Sequence, residues 1–305
     1  MNDPSPAPPL DRQSLGRVGL WTFQLDLQPM TAAQEAAAEL ESLGYRALWV
    51  PEAVGREPLV NSALLLSATE HLVVATGIAS LHARTAMTMQ AGQKTLSEAF
   101  PGRFLLGIGV SHQAAVEGLH HAGYEKPYTT MVGYLDAMDS SFYLGAAPST
   151  APQRVLAALG PKMLRLAAER ALGAHPYFVP VEHTVLARET LGPDALLAPE
   201  QAVVLSSDPA VAREVAVRFM RGYLGLPNYA NNLRRLGWTE EDIAGPSTAL
   251  VDAIVAWGEL DAVVARLRAH LDAGADHVCV QVLTEDPRAL PMAEWRTLAA
   301  AVAEL

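Results

Sequence analysis

Three stretches of this chain repeat one junction: Leu43-Gly-Tyr-Arg-Ala-Leu-Trp-Val50, Leu172-Gly-Ala-His-Pro-Tyr-Phe-Val179 and Ala273-Gly-Ala-Asp-His-Val-Cys-Val280. In each, an Ala/Leu-rich amphipathic segment runs into a glycine, and a strand-like run follows. Glycine ends a helix in the left-handed region without steric cost, so the pattern predicts helix, C-cap and strand of a β/α unit, three times over. The helix before Gly44 is predicted to start at Thr31, with Gln34 at capping-box spacing. The helix before Gly274 carries Leu260, Val264, Leu267 and Leu271 on one face.

Apolar runs at 18–23, 72–78, 104–110, 155–159 and 202–205 bring the strands to eight, separated mostly by helical segments. Eight in this order predict an α/β fold of the TIM (β/α)8 barrel type, one domain over residues 16–305. A doubly wound sheet is the alternative, but it needs a phosphate fingerprint at the first strand, and Gly19-Leu-Trp-Thr is not one. Residues 1–15 are proline-rich and lack an apolar h-region, so they read as a disordered leader rather than a signal peptide. Residues 227–258, with Asn228, Asn231, Asn232, Arg234, Arg235 and Trp238, read as an insertion before the last helix that is a lid, a subunit contact or a solvated loop.

Cys279 is the only cysteine, which excludes an intramolecular disulfide and a cysteine metal cluster and fits a reducing, cytoplasmic setting. A formal charge of −11 without a Lys/Arg-rich block argues against nucleic acid or an anionic membrane as partner. A small anion stays admissible, because screening over about 8 Å leaves its binding to nearby groups.

The run Gly102-Arg-Phe-Leu-Leu-Gly-Ile-Gly-Val-Ser-His112 reads as a buried parallel strand whose carboxyl end, the ligand end in parallel α/β folds, delivers a hydroxyl and an imidazole. Its glycines suit a close approach of backbone to ligand or a tight turn after a core strand. A second strand, 47–52, ends in Glu52, which is either a general acid or base or a loop partner of Arg56. After the third come His82 and Arg84, suited to proton transfer and to anion binding respectively, or to structural pairing. Gly160-Pro-Lys-Met163 opens a helix whose first N–H groups, with Lys162 and Arg165 nearby, suit an oxyanion such as phosphate; an ordinary loop with proline at N1 is the alternative. His120, His121, His175 and His183 lack metal-ligand spacing, so no metal site is expected. A serine elbow and a P-loop are both missing, which disfavours serine hydrolysis and nucleotide hydrolysis.

Taken together, Leu43 to Glu52, Pro101 to Val110 and Ala157 to Met163 resemble the luciferase-like flavin and deazaflavin oxidoreductases, with a match over residues 17–284. The segments Glu52-Ala-Val-Gly-Arg-Glu-Pro58, His175-Pro-Tyr177, Glu182-His-Thr184 and Leu226-Pro-Asn-Tyr229 look like the branch assigned to coenzyme F-420, a 5-deazaflavin. The resemblance implies a TIM barrel with the deazaflavin ring over its carboxyl mouth and hydride transfer at ring carbon five to or from a small organic substrate. It places Gly77 and Ile78, joined by a cis peptide, as a bulge behind the ring. It sets Val110, Ser111 and His112 beside the ring, and Gly160, Pro161, Lys162 and Met163 at the phosphate. For proton transfer His112 ranks ahead of Glu52 and His82, since imidazole needs the smaller pKa adjustment near neutral pH. The stretch 141–152 is shorter than in many relatives, so no substrate-pocket residue is carried over there. An FMN-dependent monooxygenase and a non-catalytic flavin- or deazaflavin-binding protein are the competing functions, and a homodimer is among the assemblies this reading allows.

Overall fold

In the computed structural model, which describes residues 10–305, eleven short strands form one sheet and every pair is parallel. The strands are β1 (Val18–Trp21), β2 (Ala47–Val50), β3 (Val73–Thr76), β4 (Ala79–Ser80), β5 (Phe104–Gly109), β6 (Gln153–Leu156), β7 (Gly173–Ala174), β8 (Leu196–Leu197), β9 (Glu200–Val204), β10 (Val255–Trp257) and β11 (Val278–Val282). From β1 to β8 they neighbour one another in chain order, with β4 a side branch on β5. Two residues past β8 the same chain becomes β9, which pairs with β11, and β11 pairs with β1. Here Ala198 N–H donates to Ala174 O at 3.0 Å, while Cys279 N–H donates to Pro199 O at 2.9 Å. One stretch of chain thus meets β7 and the β11 strand, and the sheet is curled.

The helices are α1 (Met30–Ser42), α2 (Pro58–Leu66), α3 (Ala86–Ala99), α4 (Gln113–Leu119), α5 (Pro127–Asp139), α6 (Pro161–Arg170), α7 (Val181–Leu191), α8 (Pro209–Leu224), α9 (Pro227–Arg235), α10 (Glu240–Ala244), α11 (Thr248–Ile254), α12 (Leu260–Asp272) and α13 (Met292–Val302). Successive strand residues point to opposite faces, and the two faces fall in separate clusters. Leu20, Leu48, Val50, Val74, Leu106, Ile108, Val280 and Val282 pack in one with the helices. Trp21, Ala47, Trp49, Val73, Ala75, Leu105, Val155, Ala198 and Cys279 form the other. Burial on both faces explains why these strands are continuous apolar runs rather than alternating ones.

Two of the three predicted junctions are as expected: Gly44 (φ +93°) and Gly274 (φ +101°) end α1 and α12 in the left-handed region. Gly173 is different, for it lies inside β7, where an added Cβ would stand 1.9 Å from Leu196 O. Thr31 does not cap α1; the helix starts behind Pro29 without a side-chain cap, and Gln34 instead donates to Leu64 O at 2.9 Å. The expected disordered leader is corrected over residues 10–15, where Leu10 and Leu15 are buried in the inner cluster and Arg12 donates to Pro193 O at 2.8 Å. Its residues 1–9 lie outside the described part.

The segment 227–258 is not a solvated loop. It forms α9, α10, α11 and β10, and buries Tyr229, Leu233, Ile243, Leu250 and Ile254 in a cluster with Phe178, Ala202 and Val204. Two helices, α12 and α13, follow it rather than one.

The two glycines of β5 have a structural explanation. The register runs Ala75↔Leu105 and then Ala79↔Ile108, so β3–β4 holds one residue more than β5 over this interval, a bulge at 76–78. Thr76 Oγ1 donates to Gly107 O at 2.8 Å and accepts from Gly107 N–H at 2.8 Å, replacing the ladder bonds. A Cβ on Gly107 would lie 1.9 Å from Thr76 O, and one on Gly109 would lie 2.4 Å from Ile78 Cδ1. What approaches these glycines is the chain's own bulge, not a ligand.

Glu200, on β9, is 1% exposed. Its Oε2 accepts from Phe178 N–H at 3.1 Å, and its Oε1 has no partner. Burial therefore pushes its pKa up to about 8.

Gly107→Ala is expected to cost about 3 kcal/mol or more, because the clash is with backbone. Gly133→Ala, in the middle of α5 with nothing within 4 Å of the new Cβ, should gain roughly 0.5–1 kcal/mol. Denaturant midpoints test both, and equal midpoints for the two variants would contradict the crowding at the bulge. For Glu200, the folded chain keeps its proton up to about pH 8, whereas an unfolded carboxyl loses it near 4.5. The unfolded state therefore binds fewer protons in that window, and stability falls as pH rises through it. Glu200→Gln should remove this loss, so the variant's unfolding free energy should gain on the parent's between about pH 5 and pH 8. Parallel pH profiles for the two proteins would mean that Glu200 is ionised in the fold.

Candidate active site

The carboxyl ends of β2, β3, β5 and β6 are adjacent in the sheet, and every predicted site residue lies just beyond one of them or in the loop after β4. Glu52 is two residues past β2. Arg84 reaches it twice, Nη1 to Oε2 at 3.0 Å and Nη2 to Oε1, and Ser80 N–H donates to Oε2 at 2.6 Å. The side chains of Glu52 and Arg84 are 11% and 9% exposed. Arg56, the partner weighed from sequence, instead donates to Leu25 O and Gln28 O. A bidentate, largely buried pair of this kind is a brace. It ties the end of β2 to the loop after β4.

His82 is half-buried, with its N–H donating to Ser80 Oγ at 3.2 Å and its ring 6.1 Å from that of Tyr124. Burial, and then the neighbouring His120, lower its pKa. Tyr124 in turn donates to Ser111 O at 3.3 Å. Ser111 is a non-glycine residue at φ +56°, and this turn carries the chain from β5 to His112, the residue preceding α4. His112 Nδ1 is 3.3 Å from Asn228 Oδ1, and its ring is 5.3 Å from that of Tyr229. Burial lowers its pKa, and the Asn228 bond opposes that shift. Val110 is half-buried against the outer cluster.

Gly77 and Ile78 form the bulge, and the peptide between them is cis. Trp21 Nε1 donates to Gly77 O at 2.9 Å. Gly160 precedes α6 in extended conformation (φ −93°, ψ 157°), with Pro161 at the first helical position and no side-chain cap. Pro161 and Lys162 are exposed and Met163 is half-buried. A Cβ on Gly160 would meet only Arg235, Nη2 at 3.6 Å and Cζ at 3.9 Å, so the turn has room for a ligand.

Sequence reasoning missed the aromatic cluster beside these residues. Tyr177 donates to Gln281 Oε1 at 2.8 Å, and its oxygen is 2.8 Å from that of Tyr223. Its ring is 5.1 Å from Trp21 and 6.1 Å from Tyr229. Tyr177 was visible in the second junction, but Tyr223 and Gln281 join it only through the fold. His175, which belongs to the second junction and to a branch-like segment and lacks metal-ligand spacing, lies deep in the interior. Its Nδ1 donates to Ala198 O at 2.7 Å, its ring stacks on Trp49 at 4.5 Å, and Nε2 is buried without a partner. Burial holds it neutral, with a pKa of about 4. A groove of about 910 Å³ lies elsewhere, at the amino ends of β6 and β7 among Arg154, Arg170, Leu172 and Ala195, and it contains none of the predicted residues.

A Mycobacterium tuberculosis protein named, provisionally, as a coenzyme F-420-dependent oxidoreductase is 26% identical to this chain, over 73% of this chain and 78% of its own length. Among solved structures, the coenzyme F-420-dependent tetrahydromethanopterin reductase of Methanopyrus kandleri superposes with a TM-score of 0.75 at 16% identity, covering 94% of this chain and 98% of that one. The oxygenating constituent of 3,6-diketocamphane monooxygenase from Pseudomonas putida, in complex with FMN, superposes with a TM-score of 0.70 at 15% identity, covering 94% and 97%. At these identities the two structures share the fold. Residues 16–277 match the luciferase-like monooxygenase family, and the chain belongs to that family.

Proposed function

We propose that this chain is a coenzyme F-420-dependent oxidoreductase that moves a hydride between the deazaflavin and a small organic substrate. The curled sheet is read as a (β/α)8 barrel, with 227–258 as an insertion over its mouth. The observation that carries the proposal is the gathering, at adjacent carboxyl ends, of the Gly77-Ile78 bulge, the Val110-Ser111-His112 turn and the uncapped start of α6 at Gly160. The F-420-named relative and the F-420-dependent structural neighbour support deazaflavin over FMN. The FMN-bound neighbour keeps an FMN-dependent monooxygenase as the second reading. A single cysteine fits a cytoplasmic enzyme.

The residues present fit such a cofactor. Ile78 and Val110 offer half-buried apolar groups for a ring. At Gly160 the space a Cβ would take is open, the first turn of α6 offers N–H groups, and Lys162 adds a cation. When bound, the deazaflavin supplies hydride transfer at carbon five. The protein must then handle the matching proton. With Nδ1–H donating to Asn228, His112 presents Nε2 as the free nitrogen. Its lowered pKa keeps it neutral near pH 7, so it takes the proton of a substrate hydroxyl during oxidation and returns it during reduction. His82 is the second candidate. Glu52, paired with Arg84, braces the mouth. A protein that only stored cofactor would have no use for an imidazole held this way.

Titration of the purified protein is expected to show tighter binding of coenzyme F-420 than of FMN. Equal or tighter FMN binding, with substrate-dependent oxygen uptake, would replace this reading by the monooxygenase. His112→Ala should lower turnover by about two to four orders of magnitude with little change in cofactor affinity. Because the base must be neutral, the parent's oxidation rate should fall as pH drops through a value below 6.5, the ordinary imidazole pKa. Full activity in His112→Ala would remove His112 from the reaction, and parallel loss of cofactor binding would make it a binding residue.

A further inference from the structure

Asn228, Asn232 and Arg235 are spaced i, i+4 and i+7 along α9, which puts all three on one face of the helix. Asn228 holds His112 at one end of that face. At the other, Arg235 Nη2 donates to Asn232 Oδ1 at 2.8 Å and stands 3.6 Å from where a Cβ on Gly160 would be. Seven helical residues separate the two ends, about 10 Å along the axis. An extended five-carbon ribityl chain ending in phosphate covers a distance of the same order.

Two features of this face are open to a further acceptor: an exposed arginine whose hydrogen bond is to Asn232, and the buried amide of Asn232 itself. Arg235 forms no ion pair among the described residues, although Arg234 beside it is bound to both oxygens of Glu240. Asn232 is 2% exposed, and its Nδ2 has no acceptor. A buried donor left unpaired is costly, and a guanidinium without a carboxylate, one hydrogen bond away from it, suits the same missing acceptor. Below the turn, His183 Nε2 donates to Leu159 O at 2.9 Å and fixes the residue before Gly160. An anion with several oxygens, seated beside the open N-terminus of α6, would satisfy both Asn232 and Arg235.

We infer that Arg235 and Asn232, supplied by α9 rather than by the Gly160 turn, clamp the phosphate of the bound cofactor. The inference deepens the proposed function and rests on it for the identity of the ligand. It makes α9 the element that spans the cofactor, from the imidazole at its reacting end to the phosphate at its anionic end.

The test compares Arg235→Ala with Arg234→Ala, which removes the same charge one residue away. Four ligands are titrated by fluorescence: coenzyme F-420, its riboside lacking the phosphate, FMN and riboflavin. Arg235→Ala should weaken the phosphorylated member of whichever pair binds by about ten- to a hundred-fold and leave the unphosphorylated member unchanged. Arg234→Ala should change neither. If the parent binds the FMN pair and not the F-420 pair with this pattern, the deazaflavin assignment fails and the clamp stands. If it binds coenzyme F-420 and Arg235→Ala binds it equally well, the clamp fails and the assignment stands. Equal weakening of phosphorylated and unphosphorylated ligands overturns the clamp, since Arg235 would then act on the ring or the fold. A parent that binds none of the four overturns both.

Discussion

The mouth of this protein depends on one hydroxyl. Thr76 Oγ1 both donates to and accepts from the backbone of Gly107, and so takes over the two ladder bonds that β3 would otherwise make there. Without it, the extra residue between Ala75 and Ala79 would leave backbone groups of β5 unpaired in a dry interior, which folded proteins avoid. With it, the bulge is satisfied, Gly77 and Ile78 leave the plane of the sheet, and Ser80 is carried to the carboxylate of Glu52. The Glu52–Arg84 pair and the His82 loop both follow from that displacement.

The inner face of the sheet is not uniformly apolar. Trp49 Nε1 donates to His277 Nε2 at 3.1 Å, and His277 Nδ1 donates to Gly16 O at 2.8 Å. Trp49 also stacks on His175, which bonds Ala198. Burial lowers the pKa of both imidazoles to about 4, so each stays neutral and presents one donor and one acceptor nitrogen. The result is a hydrogen-bonded and stacked row linking β2 with the residues that flank β7, β8 and β11. This places bonded polar groups below the mouth while keeping charge out of the interior. Glu200 obeys the same rule by holding its proton.

Above that row, the walls come from segments far apart in the chain. Tyr177, Tyr223, Tyr229 and Gln281 meet through a shared set of ring contacts and hydroxyl bonds. The segment 227–258 joins them because Tyr229 and Leu233 turn inward into the cluster of Phe178 and Val204, which leaves the polar face of α9 toward His112 and Gly160. A helix fixed by its apolar side thereby delivers asparagines and an arginine to the mouth.

Periodicity and helix-terminating glycines determined much of this fold by themselves. Gly44 and Gly274 read as helix ends and are so, and eight apolar runs implied a parallel sheet buried on both faces. Local sequence also placed Glu52, Gly77, His112 and Gly160 past the carboxyl ends of those runs, and the sheet brings those ends side by side. The partners of these residues were not legible, because partnership depends on which strands adjoin and at what register. Nothing local says that Glu52 pairs with Arg84 rather than Arg56, or that Gly107 serves a neighbouring threonine. Gly173 carries the same local pattern as Gly44, yet it lies within a strand because Leu196 approaches it from more than twenty residues away. The pKa of Glu200 and the spacing of Asn228, Asn232 and Arg235 acquire meaning only when tertiary packing removes water from one and turns the other toward the mouth.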